Sequence, residues 1–192
     1  MDKGRLEAFS DGVLAIIITI MVLELKVPHG DGWNVLLPQW PVFLSYLLSF
    51  IYVGIYWNNH HHLLHAAERV SGGVLWANLH LLFWLSLMPV ATGWMGENHF
   101  AQLPVALYGV VLLLSALAWL PLQYCLIAAN GGKSSLLAQA IGGDWKGKVA
   151  VAMYLCGILL AFVAPWVSCL LYATVAAIWF IPDRRIESRI KK

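Results

Sequence analysis

Long apolar runs separated by short polar segments dominate the pattern of hydrophobic and polar positions along the chain. An α-helix needs about 20 apolar residues to cross the hydrocarbon core of a bilayer, and most of the runs approach that length. We therefore predict membrane-spanning helices over residues 6–25, 40–61, 74–95, 101–129, 149–163 and 166–181. The polar segment 130–148 contains a short apolar stretch, LLAQAI, which is expected to lie on the surface.

This pattern predicts an all-α membrane protein with six transmembrane helices per subunit. Residues 1–183 would form the transmembrane domain, and residues 184–192 a basic cytoplasmic tail. Composition agrees, because 60% of the residues are hydrophobic and 11% are charged, whereas soluble domains carry about 25% charged residues. Pro89 falls inside the third predicted helix, and Pro121 is expected to kink the fourth.

Basic residues divide unevenly between the two sides of the predicted bundle. With the N-terminus inside, eleven of the twelve Lys and Arg residues lie on the inner side and only Lys26 lies outside. The inner residues are Lys3, Arg5, Arg69, Lys133, Lys146, Lys148, Arg184, Arg185, Arg189, Lys191 and Lys192. Because cytoplasmic segments of membrane proteins are enriched in Lys and Arg, both termini are predicted to be cytoplasmic, in an inner (plasma) membrane.

The first helix has one face with helical spacing, formed by Ile16, Thr19, Ile20 and Leu23. Side chains at i, i+3/i+4 and i+7 lie on the same side of a helix. The other side is equally apolar, so periodicity alone leaves open which face meets lipid. At about 30 Å, the helix over residues 6–25 matches one hydrocarbon thickness.

A polar motif opens this helix. It reads R-x-x-x-F-S-D and consists of Arg5, Phe9, Ser10 and Asp11, with Ile16 five residues beyond the aspartate. Placed at the start of a six-span chain, the motif resembles the transmembrane protein 175 family of potassium channels. The hydropathy layout extends the resemblance to the whole chain. It implies a one-repeat prokaryotic member that assembles as a homotetramer and passes potassium and other monovalent cations passively.

The resemblance also implies a pore lined by the first helix of each subunit. An isoleucine or leucine at the Ile16 position forms the family's constriction, a threonine follows at Thr19, and a further apolar ring matches Leu23, with Ile20 on the same face. A narrow apolar ring empties of water and blocks ions unless it widens. The alternative interpretation is that Ile16 and Leu23 simply face lipid or pack against other helices.

Selectivity would have to arise from the wall of such a pore. The sequence has no T-V-G-Y-G run, so it lacks the carbonyl filter of many potassium channels. The Thr19 hydroxyls are the best polar candidates within the span, and the resemblance implies a moderate preference for potassium. Glu24 at the outer mouth either concentrates cations or pairs with Lys26, and the sequence leaves both interpretations open.

The polar groups at the start of the first helix have two explanations. Helix capping alone could account for Ser10 and Asp11. Arg5, however, lies six residues before Asp11, too far for a pair on one helix face, so we predict a structural network between helices. Its expected partners on the second and third helices are Trp57, Asn58, His60, His61 and Asn78.

Histidines cluster at the end of the second predicted helix. His61 and His65 have the i, i+4 spacing with which two imidazoles can bind one metal. One alternative function is therefore a metal-dependent membrane enzyme built on His60, His61, His62 and His65. No pair of carboxylates is nearby in the sequence, however, and a histidine-rich helix end wetted by cytosol, or a pH-sensitive cluster, explains the run without a metal.

A further alternative is a proton- or cation-coupled secondary transporter that uses Asp11 and the histidines. Against it, no predicted span carries an acidic residue near its middle or a matched pair of broken helices. Catalytic motifs of nucleotide-binding enzymes and hydrolases are also missing, so we expect a channel rather than an enzyme, with no cofactor. The net charge of +2 is too small to indicate nucleic-acid binding.

Overall fold

The computed structural model describes residues 2–142 and 144–180, and the regular structure in these ranges is helical throughout. The α-helices within these ranges are α1 (Lys3–Leu23), α2 (Trp33–Leu36), α3 (Trp40–His65), α4 (Gly72–Leu85), α5 (Met88–Glu97), α6 (Gln102–Ala129), α7 (Leu136–Ile141), α8 (Trp145–Leu160) and α9 (Pro165–Phe180). The stretch expected on the surface forms α7, where Leu137 is buried at 5% exposure.

Side-chain caps begin several of these helices. Asp2 accepts a hydrogen bond from the Gly4 N–H at the start of α1, and Ser71 accepts one from the Val74 N–H at the start of α4. Ser and Asp suit this position because their oxygens satisfy N–H groups that have no partner inside the helix. Since α1 begins at Lys3, Ser10 and Asp11 lie within the helix, and the capping explanation for them is wrong.

Four stretches within the described ranges are long and apolar enough to cross a membrane. They cover residues 3–23, 33–65, 72–97 and 102–129, and each contains most of one of the first four predicted spans. The fifth and sixth predicted spans correspond to α8 and α9, which have 16 residues each. Such a helix is about 24 Å long, shorter than the hydrocarbon core of about 30 Å. Residue 181 and the predicted tail 184–192 lie outside the described residues.

Two prolines in apolar helices have different effects. Pro89 is preceded by a turn at Ser86 and Leu87, so the third predicted helix is divided into α4 and α5. Proline has no N–H to donate, and its ring crowds the carbonyl four residues earlier, which explains the break. Pro121 lies inside α6, which continues through it to Ala129.

The helices pack around a shared core that positions α1 at one side of the bundle. Helix α1 contacts α3, α4 and α5, while α6 lies between α4, α5, α8 and α9. The face of α1 that enters the core consists of Leu6, Ser10, Leu14, Ile17 and Met21, at spacings of three and four residues. The other side of α1 is left uncovered by the described residues.

Buried hydroxyl groups connect the helices to one another. Ser49 of α3 lies 2.6 Å from the Thr92 hydroxyl of α5 and 3.0 Å from the Tyr108 hydroxyl of α6. The Tyr52 hydroxyl donates to the backbone carbonyl of Tyr172 at 2.6 Å. In an apolar bundle these bonds satisfy groups that have no access to water, and they fix how the helices are rotated against one another.

Candidate functional site

The four residues predicted to line a pore share the uncovered side of α1. Leu23 is 79% exposed, Ile16 57% and Ile20 43%, and Thr19 is also exposed. Ile17, next to Ile16 in the sequence, is only 3% exposed because it points into the core. This face, which we call the α1 outer face (Ile16, Thr19, Ile20 and Leu23), is thus not covered by the part of the chain that the structure describes.

Thr19 is the polar group on this face, and its hydroxyl is oriented by the helix itself. Thr19 Oγ1 donates to the Ile16 carbonyl oxygen at 2.9 Å. Because its proton is directed at the backbone, the lone pairs of the oxygen are available to groups outside the helix. An oxygen presented in this way can interact with a cation or with water.

At the other side of α1, three buried side chains from three helices form a chain of hydrogen bonds. The Ser10 hydroxyl donates to the Leu6 carbonyl at 2.8 Å and accepts from Asn78 Nδ2 at 2.9 Å. Asn78 Oδ1 lies 2.7 Å from His60 Nε2, and since an amide oxygen only accepts, Nε2 of His60 carries the proton. We call these residues the Ser10–Asn78–His60 network; each is at most 2% exposed.

A second contact between α1 and α3 lies near this network, at the surface. Trp57 Nε1 donates to Asp11 Oδ1 at 3.0 Å, and both side chains are exposed. Lys3 adds a third link, because its ammonium group donates to the Ala67 carbonyl at 3.0 Å just beyond the end of α3. The first turns of α1 are therefore attached to the end of α3 at several points.

Other residues of the predicted network are not joined to it. Within the described ranges no hydrogen bond or ion pair reaches Arg5 or Asn58, and Phe9 is 52% exposed. The exposed ring of His61 stacks on Trp57 and on His65, with the two imidazole centroids 6.0 Å apart. In the described residues no three His, Cys, Asp or Glu side chains are arranged to hold a metal ion.

The outer end of α1 carries a contact that sequence reasoning missed. Lys26 pairs with Glu97 at the end of α5, not with Glu24, so the pairing suggested for Glu24 is wrong. The hydrogen bond and the charge of Glu97 raise the pKa of the exposed Lys26. Glu24 is exposed and approaches Gly93 of α5 instead. Lys26 and Glu97 are too distant in the sequence for any spacing pattern to predict their pairing.

The chain is similar in sequence to known proteins. The family model described as "Endosomal/lysosomal potassium channel TMEM175" matches residues 5–89, the part of the chain that contains the motif, α1 and the Ser10–Asn78–His60 network. A potassium channel of Chryseobacterium sp. is 57% identical over 192 residues, which is 100% of both chains. A potassium channel of Chamaesiphon minutus is 32% identical over 184 residues and 88% of its length is covered.

A solved structure is also similar. The crystal structure of a lysosomal potassium-selective channel TMEM175 homolog from Chamaesiphon minutus matches with a TM-score of 0.81 and 28% identity, covering 93% of this chain and 96% of that one. The similarity therefore extends across the bundle and is not confined to the motif. On this evidence the chain belongs to the TMEM175 family of channels.

Proposed function

We propose that the chain is one subunit of a homotetrameric, potassium-selective channel, in which ions pass passively between four copies of α1. The names of its relatives support potassium as the ion, since the full-length Chryseobacterium relative is named a potassium channel and the matched structure is described as potassium-selective. These names also favour a channel over the coupled transporter and over the metal-dependent enzyme.

The α1 outer face is the observation that carries this proposal. An isoleucine with more than half of its surface uncovered, beside an isoleucine that is buried, supports a role of this side of α1 in contacts with other copies of the chain. Four such faces around a symmetry axis would form stacked rings. Ile16 would make the constriction, Thr19 a ring of oxygen atoms, and Ile20 and Leu23 apolar rings nearer the outer mouth, where Glu24 would attract cations.

The proposal includes six spans per subunit, with both termini in the cytoplasm. Helices α8 and α9 would be the fifth and sixth spans, with residues 184–192 as the cytoplasmic tail. The Ser10–Asn78–His60 network and the pair of Asp11 and Trp57 would hold α1 at a fixed rotation against α3 and α4, so that Ile16 points toward the axis. In this scheme they are structural residues and not part of the path.

Reconstitution in liposomes tests the function directly. Purified protein is placed in vesicles with an outward gradient of potassium or of sodium, and the flux of each ion is measured together with the mass of the oligomer. We expect flux that rises with the ion gradient without saturating, faster for potassium, from a particle of four subunits. Saturable flux with a fixed proton stoichiometry, or a monomeric particle, would contradict the proposal.

A single substitution tests the constriction. Ile16→Asn introduces an amide that keeps water in the ring, so we expect the rate of ion flux to rise by about tenfold or more and the preference for potassium to fall, because removing about 1.4 kcal/mol of barrier has that effect. Leu159→Asn is the matched control, since Leu159 is 73% exposed on α8. Equal effects of the two substitutions would place Ile16 outside the path.

A further inference from the structure

A cavity of about 390 Å³ lies between α3, α6, α8 and α9, away from the α1 outer face. Its volume falls in the range of about 300–1,000 Å³ that is typical of small-molecule sites. Most of its wall is apolar, and Ile55, Leu117, Leu120 and Val151 are among the lining residues. Nothing in the proposed ion path uses this space.

The cavity has a polar mouth and an apolar interior. Asn59 near the end of α3, Lys148 in the first turn of α8, and Trp179 near the end of α9 line the mouth. Tyr52, seven residues from Asn59 along α3, and Tyr154, six residues from Lys148 along α8, line the interior and bond to each other. Seven residues of helix correspond to a depth of about 10 Å.

Several polar groups at the mouth have unused hydrogen-bonding capacity. In the described residues, the Tyr56 hydroxyl and the Lys148 ammonium group have no hydrogen-bond or ion-pair partner, and the Asn59 amide uses only its nitrogen, on the Ile55 carbonyl at 2.8 Å. The Asp144 carboxylate is already engaged by the Gly147 N–H at 2.8 Å, as the cap of α8. Lys146 and Lys148 in the first turn of α8 outnumber the Asp144 carboxylate by one charge, so the Lys148 ammonium group can bind an anionic phosphate at the mouth.

The tryptophans around the mouth indicate that it lies at the surface of a membrane. Trp179 lines it, and Trp145 begins α8 beside it with 52% of its surface exposed. Lys146 lies over the Trp179 ring at 5.8 Å. Trp and Lys concentrate at the level of lipid headgroups, so the mouth faces headgroups while the apolar interior lies at the depth of acyl chains.

We propose that this cavity binds an anionic phospholipid, with one acyl chain in the apolar interior and the phosphate beside Lys148. Basic pockets between membrane helices are suited to such headgroups. The proposal goes beyond ion conduction, and its failure would leave the channel proposal untouched. It names a lipid site between α3, α6, α8 and α9, whose lining includes no residue of α1.

Native mass spectrometry of the full-length protein tests the headgroup. Protein exchanged into mixed vesicles of phosphatidylglycerol and phosphatidylcholine is expected to retain phosphatidylglycerol preferentially. Lys148→Gln should reduce that preference about fivefold, the effect of one basic residue near an anionic headgroup. Lys148→Arg should keep it, and so should Arg69→Gln, which removes an exposed charge at the same end of the bundle but outside the cavity.

A cavity-filling substitution tests the acyl chain. Val151→Trp should displace the lipid and abolish labelling of the protein by a phosphatidylglycerol with a photoreactive acyl chain, whereas Ala152→Trp, on the exposed side of the same turn, should leave labelling unchanged. Labelled peptides should come from α3, α6 or α8. The proposal is overturned by equal retention of both lipids, by Lys148→Gln without effect, by labelling that survives Val151→Trp, or by protein–protein crosslinks at Lys148 in place of lipid.

Discussion

At the scale of single residues, the strongest constraint on α1 is the Ser10–Asn78–His60 network. Each of its groups is buried, so none of them can bond to water in place of the hydrogen bonds at 2.9 Å and 2.7 Å. Removing the central amide leaves the His60 N–H without its partner and removes the donor to Ser10, whose hydroxyl keeps its bond to the Leu6 carbonyl. A buried unsatisfied group costs about 1–3 kcal/mol. The network lies on the buried face of α1, together with the apolar Leu6, Leu14, Ile17 and Met21.

Asn78→Ala should lower the free energy of unfolding by about 1–3 kcal/mol, because it leaves the buried His60 N–H unpaired and removes the bond to Ser10. Thermal unfolding in detergent, followed by loss of the monodisperse peak, measures the effect. Asn98→Ala is the control, since Asn98 is exposed and its side chain bonds only to the Trp94 carbonyl. Similar melting temperatures for the two variants would show that the network does not stabilise the bundle.

Thr19 offers a second test at this scale. Thr19→Val keeps the shape of the side chain and removes the oxygen that the bond to Ile16 directs outward. If four such oxygens contact the permeating ion, the ratio of potassium to sodium flux should fall toward unity in Thr19→Val and be retained in Thr19→Ser. An unchanged ratio in the valine variant would place the selectivity elsewhere.

At the scale of helices, close approach is concentrated where α6, α8 and α9 meet. Gly109 of α6 and Gly157 of α8 both lie against the Tyr172 ring of α9, and a Cβ added to either would overlap it. Tyr172 is fully buried, and its ring also neighbours Tyr108 and Tyr154. The packing of the two short helices α8 and α9 onto the bundle therefore requires glycine, which has no Cβ, at positions 109 and 157.

Gly157→Ala should destabilise the protein by about 1–3 kcal/mol, since the added methyl group forces the buried Tyr172 ring to move. Gly54→Ala, in the middle of α3, is the matched control because nothing lies within 4 Å of its added Cβ. That change should stabilise the helix by about 0.5–1 kcal/mol. Unfolding temperatures of the two variants should shift in opposite directions, and a shift in the same direction would contradict the packing described.

Some of these features were predictable from the sequence, and others depend on tertiary contacts. Spacing alone identified the stripe through Ile16 and Leu23, because residues three, four and seven apart share a helix face. It could not tell that Ile17 is buried and Ile16 exposed, since α1 is apolar all round. The polar residue types indicated a network between helices, but the bond of Asn78 to Ser10, 68 positions away, depends on how α1 and α4 are rotated.

The two prolines and the pair of Lys26 and Glu97 also differ in whether the sequence could predict their effects. The break before Pro89 was predictable from the sequence, because proline lacks an N–H. The continuity of α6 through Pro121 was not predictable, because it depends on the neighbouring helices that hold α6 in place. The pair of Lys26 and Glu97 joins the segment after α1 to the end of α5, 71 positions away, and charge pattern alone could not select it.

At the scale of the whole molecule, the subunit is a bundle with one side left incomplete. Its core is shared by α3 to α6, with α8 and α9 packed against α6, while α1 is covered on only one side. A single subunit cannot enclose an aqueous path with one uncovered helix. The proposed function therefore depends on copies of the chain meeting around the α1 outer face.

Cysteine accessibility in the reconstituted channel tests this central claim most directly. Ile16→Cys and Ile17→Cys are made in a background without the three native cysteines, and potassium flux is measured before and after a water-soluble, positively charged thiol reagent. Ile16 is 57% exposed and Ile17 is 3% exposed, so the two variants differ in little except the direction of the side chain. We predict that the reagent blocks flux at position 16 and has no effect at position 17. Flux that is insensitive at position 16, or equally sensitive at both positions, would contradict a path lined by the outer face of α1.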